Sequence, residues 1–280
     1  MAILYKIEQG MQSYTKTEKK IADYLLKNYL EAINLSANEL GEISNTSSAA
    51  IIRFAHKLGY PGLNSLKVDL ASTDKKNRIK QYEPITEEDN FESVIHKSEL
   101  SNKNIISKTY NMVNENTLFN AVKILKESKR IFLIGIGDSS LSCYDFKLKM
   151  ARLDLNIISN LDFHIQLASL THITEDDCVL AISFSGETKD ILVAAEYAKN
   201  NNAKVVSITQ FNNNHLSKLS DVCLYIPSEE LDDRLGPISS RLSSLIITDL
   251  LYLQISQDCI EETNIKVKLT NELISKIKFK

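Results

Sequence analysis

IFLIGIGDSS, residues 131–140, is a short apolar run that passes through two glycines into a polar segment. Such a run, ended by glycines, predicts a buried strand followed by a helix. Four more apolar runs lie downstream, separated by stretches with a helical pattern. They are NIIS at 156–159, CVLAIS at 178–183, KVVSIT at 204–209 and VCLYI at 222–226, and a long helical pattern follows at 238–256. Strands that alternate with helices predict an α/β domain with a five-stranded parallel sheet and helices on both faces.

The ends of two of these strands carry the residue types that bind phosphate. The first run leads into Gly135 to Ser140, and the third leads into Ser183 to Thr188. Hydroxyls and the free N–H groups of a helix N-terminus together suit a phosphate monoester. The predicted ligand site consists of Gly137, Ser139, Ser140, Ser183, Ser185, Gly186 and Thr188. A single serine or threonine at a helix start is usually only a cap, so the prediction depends on both loops together.

The same glycines do not favour a dinucleotide site. Ser140 stands where the third glycine of a GxGxxG fingerprint would be, and the next strand ends in Ser159 and Asn160, without the acidic residue that binds a ribose hydroxyl. The four cysteines are far apart, with no CxxC pair and no histidine at ligand spacing. We therefore expect reduced structural cysteines, no metal and no cofactor.

The composition excludes several classes of protein. Of the 280 residues, 43% are hydrophobic and 25% are charged, which is typical of a globular protein and not of a disordered, collagen-like or disulfide-stapled chain. No apolar run approaches the roughly 20 residues that span a membrane, and the first residues lack a signal-peptide pattern. We expect a cytoplasmic protein with no membrane partner.

The first 75 residues are predicted to form a separate, all-helical domain. Two capping boxes mark helix starts, one from Thr15 to Glu18 and one from Ser36 to Glu39. A third helix begins near Ser47, carries apolar residues at helical spacing and ends at Gly59. Its inward positions are Ile51, Phe54, Ala55 and Leu58.

The two short helices at about 36–58 have the arrangement of a helix-turn-helix, which lays its second helix in the major groove of DNA. The predicted DNA-binding residues are Ser47, Ser48, Ile52, Arg53, His56 and Lys57. Arg53 can donate to guanine or phosphate, Ile52 can contact a thymine methyl group, and Lys57 can bind phosphate. Any three-helix bundle also has such a solvated face, so periodicity alone leaves both interpretations open.

The charge distribution favours DNA contact by the N-terminal part. Residues 1–80 carry 12 Lys and Arg against 8 Asp and Glu, and the other 200 residues carry 21 against 28. The net charge of −3 therefore divides into +4 and −7. Because binding to phosphates depends on local positive charge, this asymmetry is a weak indication of nucleic-acid binding.

A resemblance to a known family covers nearly the whole chain. GIGDSS, followed about 45 residues later by ISFSGETKD, resembles the sugar isomerase (SIS) domain. TKTEKKIADYLLKN, LSANELGEISNTSSAAIIRFAHKLGYPGLNSLKVDLA and the later GPISSRLSSLIITDLLYL resemble RpiR-type transcriptional regulators. The resemblance implies that Ser139, Ser183, Ser185 and Thr188 bind a sugar phosphate and that the helix from Ser47 reads the operator.

The chain also departs from the family pattern. Thr46 and Ala50 stand where members often have Val and Thr, which affects the expected base preference. Phe184 replaces a frequent Gln, which removes a polar contact to the phosphosugar. The expected domains are a helix-turn-helix domain at 1–75, a linker and connecting helix at 76–115, a SIS domain at 116–265 and a tail at 266–280.

The expected function is a DNA-binding regulator of carbohydrate metabolism whose operator affinity responds to a phosphosugar. One recognition helix buries little DNA surface, so a homodimer or tetramer is expected. The alternatives are a ligand-sensing adaptor that does not bind DNA and a phosphosugar isomerase, which needs a positioned base. The candidate bases are Glu187, His164, His172 and His215. An isomerase has no use for a basic helix-turn-helix, so we predict that the protein is not an enzyme and has no catalytic residues.

Overall fold

The computed structural model describes residues 2–71, 85–153, 155–228, 236–257 and 260–277. The chain divides into two compact units, Met1–Met112 and Val113–Lys280. Residues 76–84 of the expected linker, and Cys259, lie outside the described residues. None of the helices in the described ranges is long and apolar enough to cross a membrane.

The first unit is helical, as the sequence predicts. Its helices are α1 (Ala2–Gln9), a 3-10 turn (Gly10–Gln12), α2 (Lys16–Ala32), α3 (Ala37–Ile43), α4 (Ser48–Lys57), α5 (Leu63–Ala71) and α6 (Phe91–Met112). Both predicted capping boxes are present. The Thr15 hydroxyl accepts from the Glu18 N–H at 3.3 Å, and the Glu18 carboxylate accepts from the Thr15 N–H at 2.8 Å. Ser36 and Glu39 start α3 in the same way.

Helices α3 and α4 pack closely because α3 has a glycine, Gly41, where it contacts the start of α4. A Cβ atom on Gly41 would lie 2.9 Å from the backbone nitrogen of Ser48. The apolar residues predicted to face inward, Ile51, Phe54, Ala55 and Leu58, are all buried in the core of this unit. The periodicity of α4 is therefore confirmed, and its opposite face is exposed.

The second unit alternates strands and helices. Its elements are α7 (Glu115–Glu127), β1 (Ile131–Ile134), α8 (Asp138–Met150), β2 (Ile157–Ile158), α9 (Phe163–Leu170), β3 (Cys178–Ile182), α10 (Lys189–Asn200), β4 (Lys204–Gln210), α11 (His215–Leu219), β5 (Val222–Ile226), α12 (Ile238–Gln257) and α13 (Ile260–Ser275). Helix α13 runs into the segment from residue 266 that the sequence suggests is a tail. The exact domain boundaries stay a prediction.

The five strands form one parallel sheet in the order β2-β1-β3-β4-β5. One apolar core lies between the sheet and helices α7, α8 and α12, and a second lies between the sheet and helices α9, α10 and α11. The predicted α/β architecture with helices on both faces is confirmed. Because β1 and β3 are neighbours, the loops after their carboxyl ends lie side by side, which is where open α/β sheets bind ligands.

Candidate functional site

The loop after β1 is held in place by a buried glutamine. The Gln166 amide donates to the carbonyl of Gly135 at 2.9 Å and accepts from the N–H of Gly135 at 3.1 Å. Gly137 then adopts a φ of +59° and precedes the first turn of α8, with no side chain to cap that turn. The sequence gives no sign of Gln166, because its partner lies 31 residues away in the chain.

The loop after β3 brings three predicted hydroxyls together. The Ser183 and Thr188 hydroxyl oxygens lie 3.2 Å apart, and the Ser185 hydroxyl accepts from the N–H of Glu187 at 3.2 Å. Thr188 is the N-cap of α10 but makes no capping hydrogen bond through its side chain. The first N–H groups of α10 are therefore not capped by this threonine, which is the arrangement that an anion can use.

Gly186 has a structural task in this loop. Its φ is +67°, and a Cβ atom there would lie 2.2 Å from the side chain of Asn214. Asn214 is fully buried and caps α11 by accepting from the N–H of Ser217 at 2.8 Å. The glycine thus lets the loop pack directly against the start of α11.

Both loops open onto one cavity of about 380 Å³. Of the predicted ligand-binding residues, the cavity is lined by Gly137, Ser139, Ser183, Ser185 and Thr188. Ser140 and Gly186 are not among its lining residues. Ser140 is buried, and its hydroxyl donates to the carbonyl of Gly137 at 2.6 Å, so it stabilises the turn. A volume of this size lies in the range typical of small-molecule sites.

The other wall of the cavity comes from residues that the sequence interpretation missed. Helix α12 contributes Pro237, just before its first turn, and Ser240, Arg241 and Ser244, while α8 contributes Asp138 and Ser142. Arg241 and Asp138 face each other across the two helices, with Nη1 and Oδ1 4.0 Å apart. The local signal for this wall is the spacing of Ser240 and Ser244, which lie four residues apart and therefore on one face of the helix predicted at 238–256.

Ser142, on the same wall, has a buried hydroxyl without a hydrogen bond. The residue is fully buried, and its hydroxyl oxygen has no hydrogen-bond partner within the described ranges. A buried hydroxyl without a partner costs roughly 1–3 kcal/mol. Since Ser142 lies four residues after Asp138 on α8, both belong to the same face of the helix.

The four candidate bases of an isomerase do not line the cavity. The Glu187 carboxylate accepts from the backbone N–H of His215 at 3.1 Å and lies 2.5 Å from its Nδ1. His164 and His172 are exposed on and just after α9. Among the described residues that line the cavity, Asp138 is the acidic one, and it is not one of the four predicted bases.

The predicted DNA-binding face lies on the exposed side of α4. Ile52, Arg53 and His56 are exposed, and Ile52 has 41% of its surface accessible. Ser47 is the N-cap, its hydroxyl accepting from the Ala50 N–H at 3.3 Å. The Nδ1 atom of His56 lies 3.1 Å from the carbonyl of Tyr60 at the end of the helix, and this contact orients the ring.

Lys57 is engaged within the unit. Its Nζ lies 2.8 Å from the carboxylate of Glu18 and 5.3 Å from the ring centroid of Tyr14. Partial burial raises the pKa of Glu18, but hydrogen bonds from Lys57 and Thr15 outweigh this effect and hold the pKa below its ordinary value. The ion pair joins the end of α4 to the start of α2, so Lys57 positions α4 as well as adding positive charge to its exposed face.

Two family models match the chain. Residues 1–77 match the helix-turn-helix domain of the rpiR family, and residues 124–254 match the SIS domain. The two matches fall on the helical unit and on the sheet with its cavity, respectively.

Two of the similar proteins align with nearly the whole of this chain. The uncharacterized HTH-type transcriptional regulator TTE0211 of Caldanaerobacter subterraneus subsp. tengcongensis is 33% identical over 273 residues, which is 98% of this chain and 97% of that protein. The NanR protein of Vibrio vulnificus, solved in complex with ManNAc-6P, has a TM-score of 0.60 at 24% identity and covers 99% of this chain and 100% of its own. The sugar isomerase domain of an RpiR transcription factor from Sphaerobacter thermophilus has a TM-score of 0.57 at 13% identity, over 64% of this chain and 98% of that one.

Proposed function

Because the chain belongs to the HTH-type transcriptional regulators that combine an rpiR-family helix-turn-helix domain with a SIS domain, we propose that it regulates genes of carbohydrate metabolism in response to a phosphosugar. The phosphosugar binds in the cavity of the second unit. Its occupancy changes the affinity of the helix-turn-helix for operator DNA.

The observation that carries this proposal is the convergence of hydroxyls at one cavity. Ser139, Ser183, Ser185 and Thr188 all line it, and the first turn of α10 begins at the same place. Hydroxyls and helix N–H groups bind a phosphate without needing a fixed positive charge. NanR, which shares the fold, was solved with a phosphosugar, and this supports the same ligand class here.

The proposed DNA-reading residues lie at the N-cap of α4 and on the helix itself, and all are exposed except the half-buried Ser48. They are Ser47, Ser48, Ile52, Arg53, His56 and Lys57. Two copies of α4 are needed to bury enough DNA surface, so the active species is a homodimer or tetramer that binds paired half-sites. Binding of the phosphosugar favours one arrangement of the copies, and operator affinity changes because the half-sites fit that arrangement differently. A regulator of this kind acts in the cytoplasm.

The second candidate is a phosphosugar isomerase, favoured by the presence of Asp138 in the cavity. Isomerisation needs a base that is within reach of the substrate carbon. Glu187 is bound to His215, and none of the four candidate bases lines the cavity. The regulator is therefore the better supported function.

Calorimetric titration of the full chain with a panel of hexose and pentose phosphates tests the ligand class. We expect one or more members to bind, and Ser185→Ala to weaken that binding about tenfold because a hydrogen bond to a charged phosphate is lost. Ser169→Ala is the matched control, since the Ser169 hydroxyl donates to the carbonyl of Ile165 on the outside of α9. Equal affinities in all three proteins would contradict the phosphate site, and turnover at rates typical of enzymes would favour the isomerase.

A further inference from the structure

Two helix N-termini meet at the cavity, and they differ in charge. Helix α10 starts beside the hydroxyls of Ser183, Ser185 and Thr188. Helix α8 starts with Asp138, which is one of the residues that line the cavity and whose negative charge offsets the positive end of that helix. Helix α10 also has an acidic residue in its first turn, Asp190, but this residue is exposed and does not line the cavity.

This asymmetry orients a phosphorylated ligand. The phosphate is favoured at the α10 end, where three hydroxyls and helix N–H groups converge. It is disfavoured at the α8 end, where the Arg241 guanidinium, 4.0 Å from the Asp138 carboxylate, offsets that negative charge only in part. The remainder of the ligand then lies along the wall made by α8 and α12. That wall also carries Ser240 and Ser244, and the buried Ser142 is among its residues, so polar side chains lie along it beside Asp138.

The geometry points to Asp138 as the residue that selects neutral sugar phosphates against sugar-acid phosphates, an inference that rests on the proposed function. An ionised carboxylate only accepts hydrogen bonds. It therefore binds the hydroxyl or N–H groups of a neutral sugar and repels a ligand carboxylate at the same place.

Arg241 tunes this selection. Its guanidinium lies 4.0 Å from the Asp138 carboxylate, which is too long for a hydrogen bond, so the charge of Asp138 is only partly offset. The acceptor atoms of Asp138 therefore stay available to a ligand. Removing Arg241 increases the repulsion that a ligand carboxylate meets, whereas removing the charge of Asp138 abolishes it.

The test compares hexose 6-phosphates with 6-phosphogluconate, which adds a carboxylate at the end of the chain opposite the phosphate. In the wild-type full chain we expect 6-phosphogluconate to bind at least about tenfold more weakly than the tightest hexose 6-phosphate. Asp138→Asn should reduce this ratio below about threefold. Asp190→Asn, which removes the same charge from the first turn of the other helix, should leave the ratio as it is in the wild type.

Arg241→Gln keeps the inference testable if Asp138→Asn does not fold, because it should change the ratio in the opposite direction. The inference is overturned if the ratio of the two dissociation constants, 6-phosphogluconate to hexose 6-phosphate, is the same in the wild type, Asp138→Asn and Arg241→Gln. It is also overturned if the wild type binds 6-phosphogluconate as tightly as the hexose 6-phosphate. Failure of the proposed function looks different. In that case Ser185→Ala leaves the binding of inorganic phosphate and of every hexose phosphate unchanged.

Discussion

Gly186→Ala should destabilise the second unit far more than the same change at another glycine with positive φ. A residue other than glycine at a φ of +67° costs roughly 1–2 kcal/mol. The new Cβ atom would also lie 2.2 Å from the carboxamide carbon of Asn214, so that side chain must move.

The movement of Asn214 breaks a compact set of hydrogen bonds. Its amide group donates to the Thr209 hydroxyl at 3.1 Å and to the Asn212 side chain at 2.7 Å, and its oxygen accepts from the Ser217 N–H at 2.8 Å. Each such bond contributes about 1 kcal/mol, and displacement disrupts at least two of them. Together with the backbone cost, the expected loss is about 3–4 kcal/mol.

Gly137→Ala supplies the matched control. Gly137 also has a positive φ, of +59°, but apart from its chain neighbours no heavy atom of the described residues lies within 4 Å of its hypothetical Cβ. Only the backbone cost of roughly 1–2 kcal/mol applies there. For a unit of this size, each kcal/mol of lost stability lowers the melting temperature by about 2–4 °C. The melting temperature of Gly186→Ala should therefore lie roughly 10 °C below that of the wild type and clearly below that of Gly137→Ala. Equal losses in the two variants would refute the packing of Gly186 against Asn214.

Three predictions concern the helical unit. Glu18→Gln keeps the capping box but removes the ion pair with Lys57. Because the Glu18 and Lys57 side chains are 20% and 41% exposed, this change should lower the free energy of unfolding by no more than about 1 kcal/mol. Because the pKa of Glu18 is lowered in the folded state, this loss of stability should be complete above the ordinary pKa of glutamate and should vanish as the pH falls through the lowered pKa. Urea unfolding at several pH values measures it. Gly41→Ala should lower both stability and operator affinity, because its Cβ would lie 2.9 Å from the backbone nitrogen of Ser48, and unchanged values would contradict the close approach of α3 and α4. Arg53→Ala should weaken operator binding and reduce the slope of log affinity against log salt concentration by about one. Lys57→Ala should reduce this slope by less, because Lys57 is paired with Glu18, and an equal reduction would show that this ion pair does not persist on DNA.

Local patterns in the sequence were sufficient for the architecture. The capping boxes at Thr15 and Ser36 fix two helix starts through contacts only three residues apart, and both are present. The apolar runs of the sheet were found because strands buried on both faces are continuously apolar. The hydroxyl loops after β1 and β3 were found because neighbouring parallel strands end at the same edge of the sheet.

Contacts between distant parts of the chain were not predictable in this way. The α12 wall pairs Arg241 with Asp138, about 100 residues earlier, and no local spacing connects them. Ser140 was placed in the ligand site on its residue type, yet its hydroxyl bonds to the turn in which it lies. Lys57 is predicted from the sequence to bind phosphate, and its partner Glu18 belongs to another helix, so the pairing has no local signal.

The central claim, that a phosphosugar in the cavity controls DNA binding, is tested most directly by operator affinity measured with and without ligand. An operator duplex selected from a random library would be titrated with wild-type and Ser185→Ala protein, each alone and with the phosphosugar identified by calorimetry. The ligand should change wild-type affinity by roughly 5–150-fold. Ser185→Ala should bind the operator like the wild type without ligand and lose most of the response at the same ligand concentration. A ligand response of equal size in both proteins, at a concentration that does not saturate either, would contradict the account.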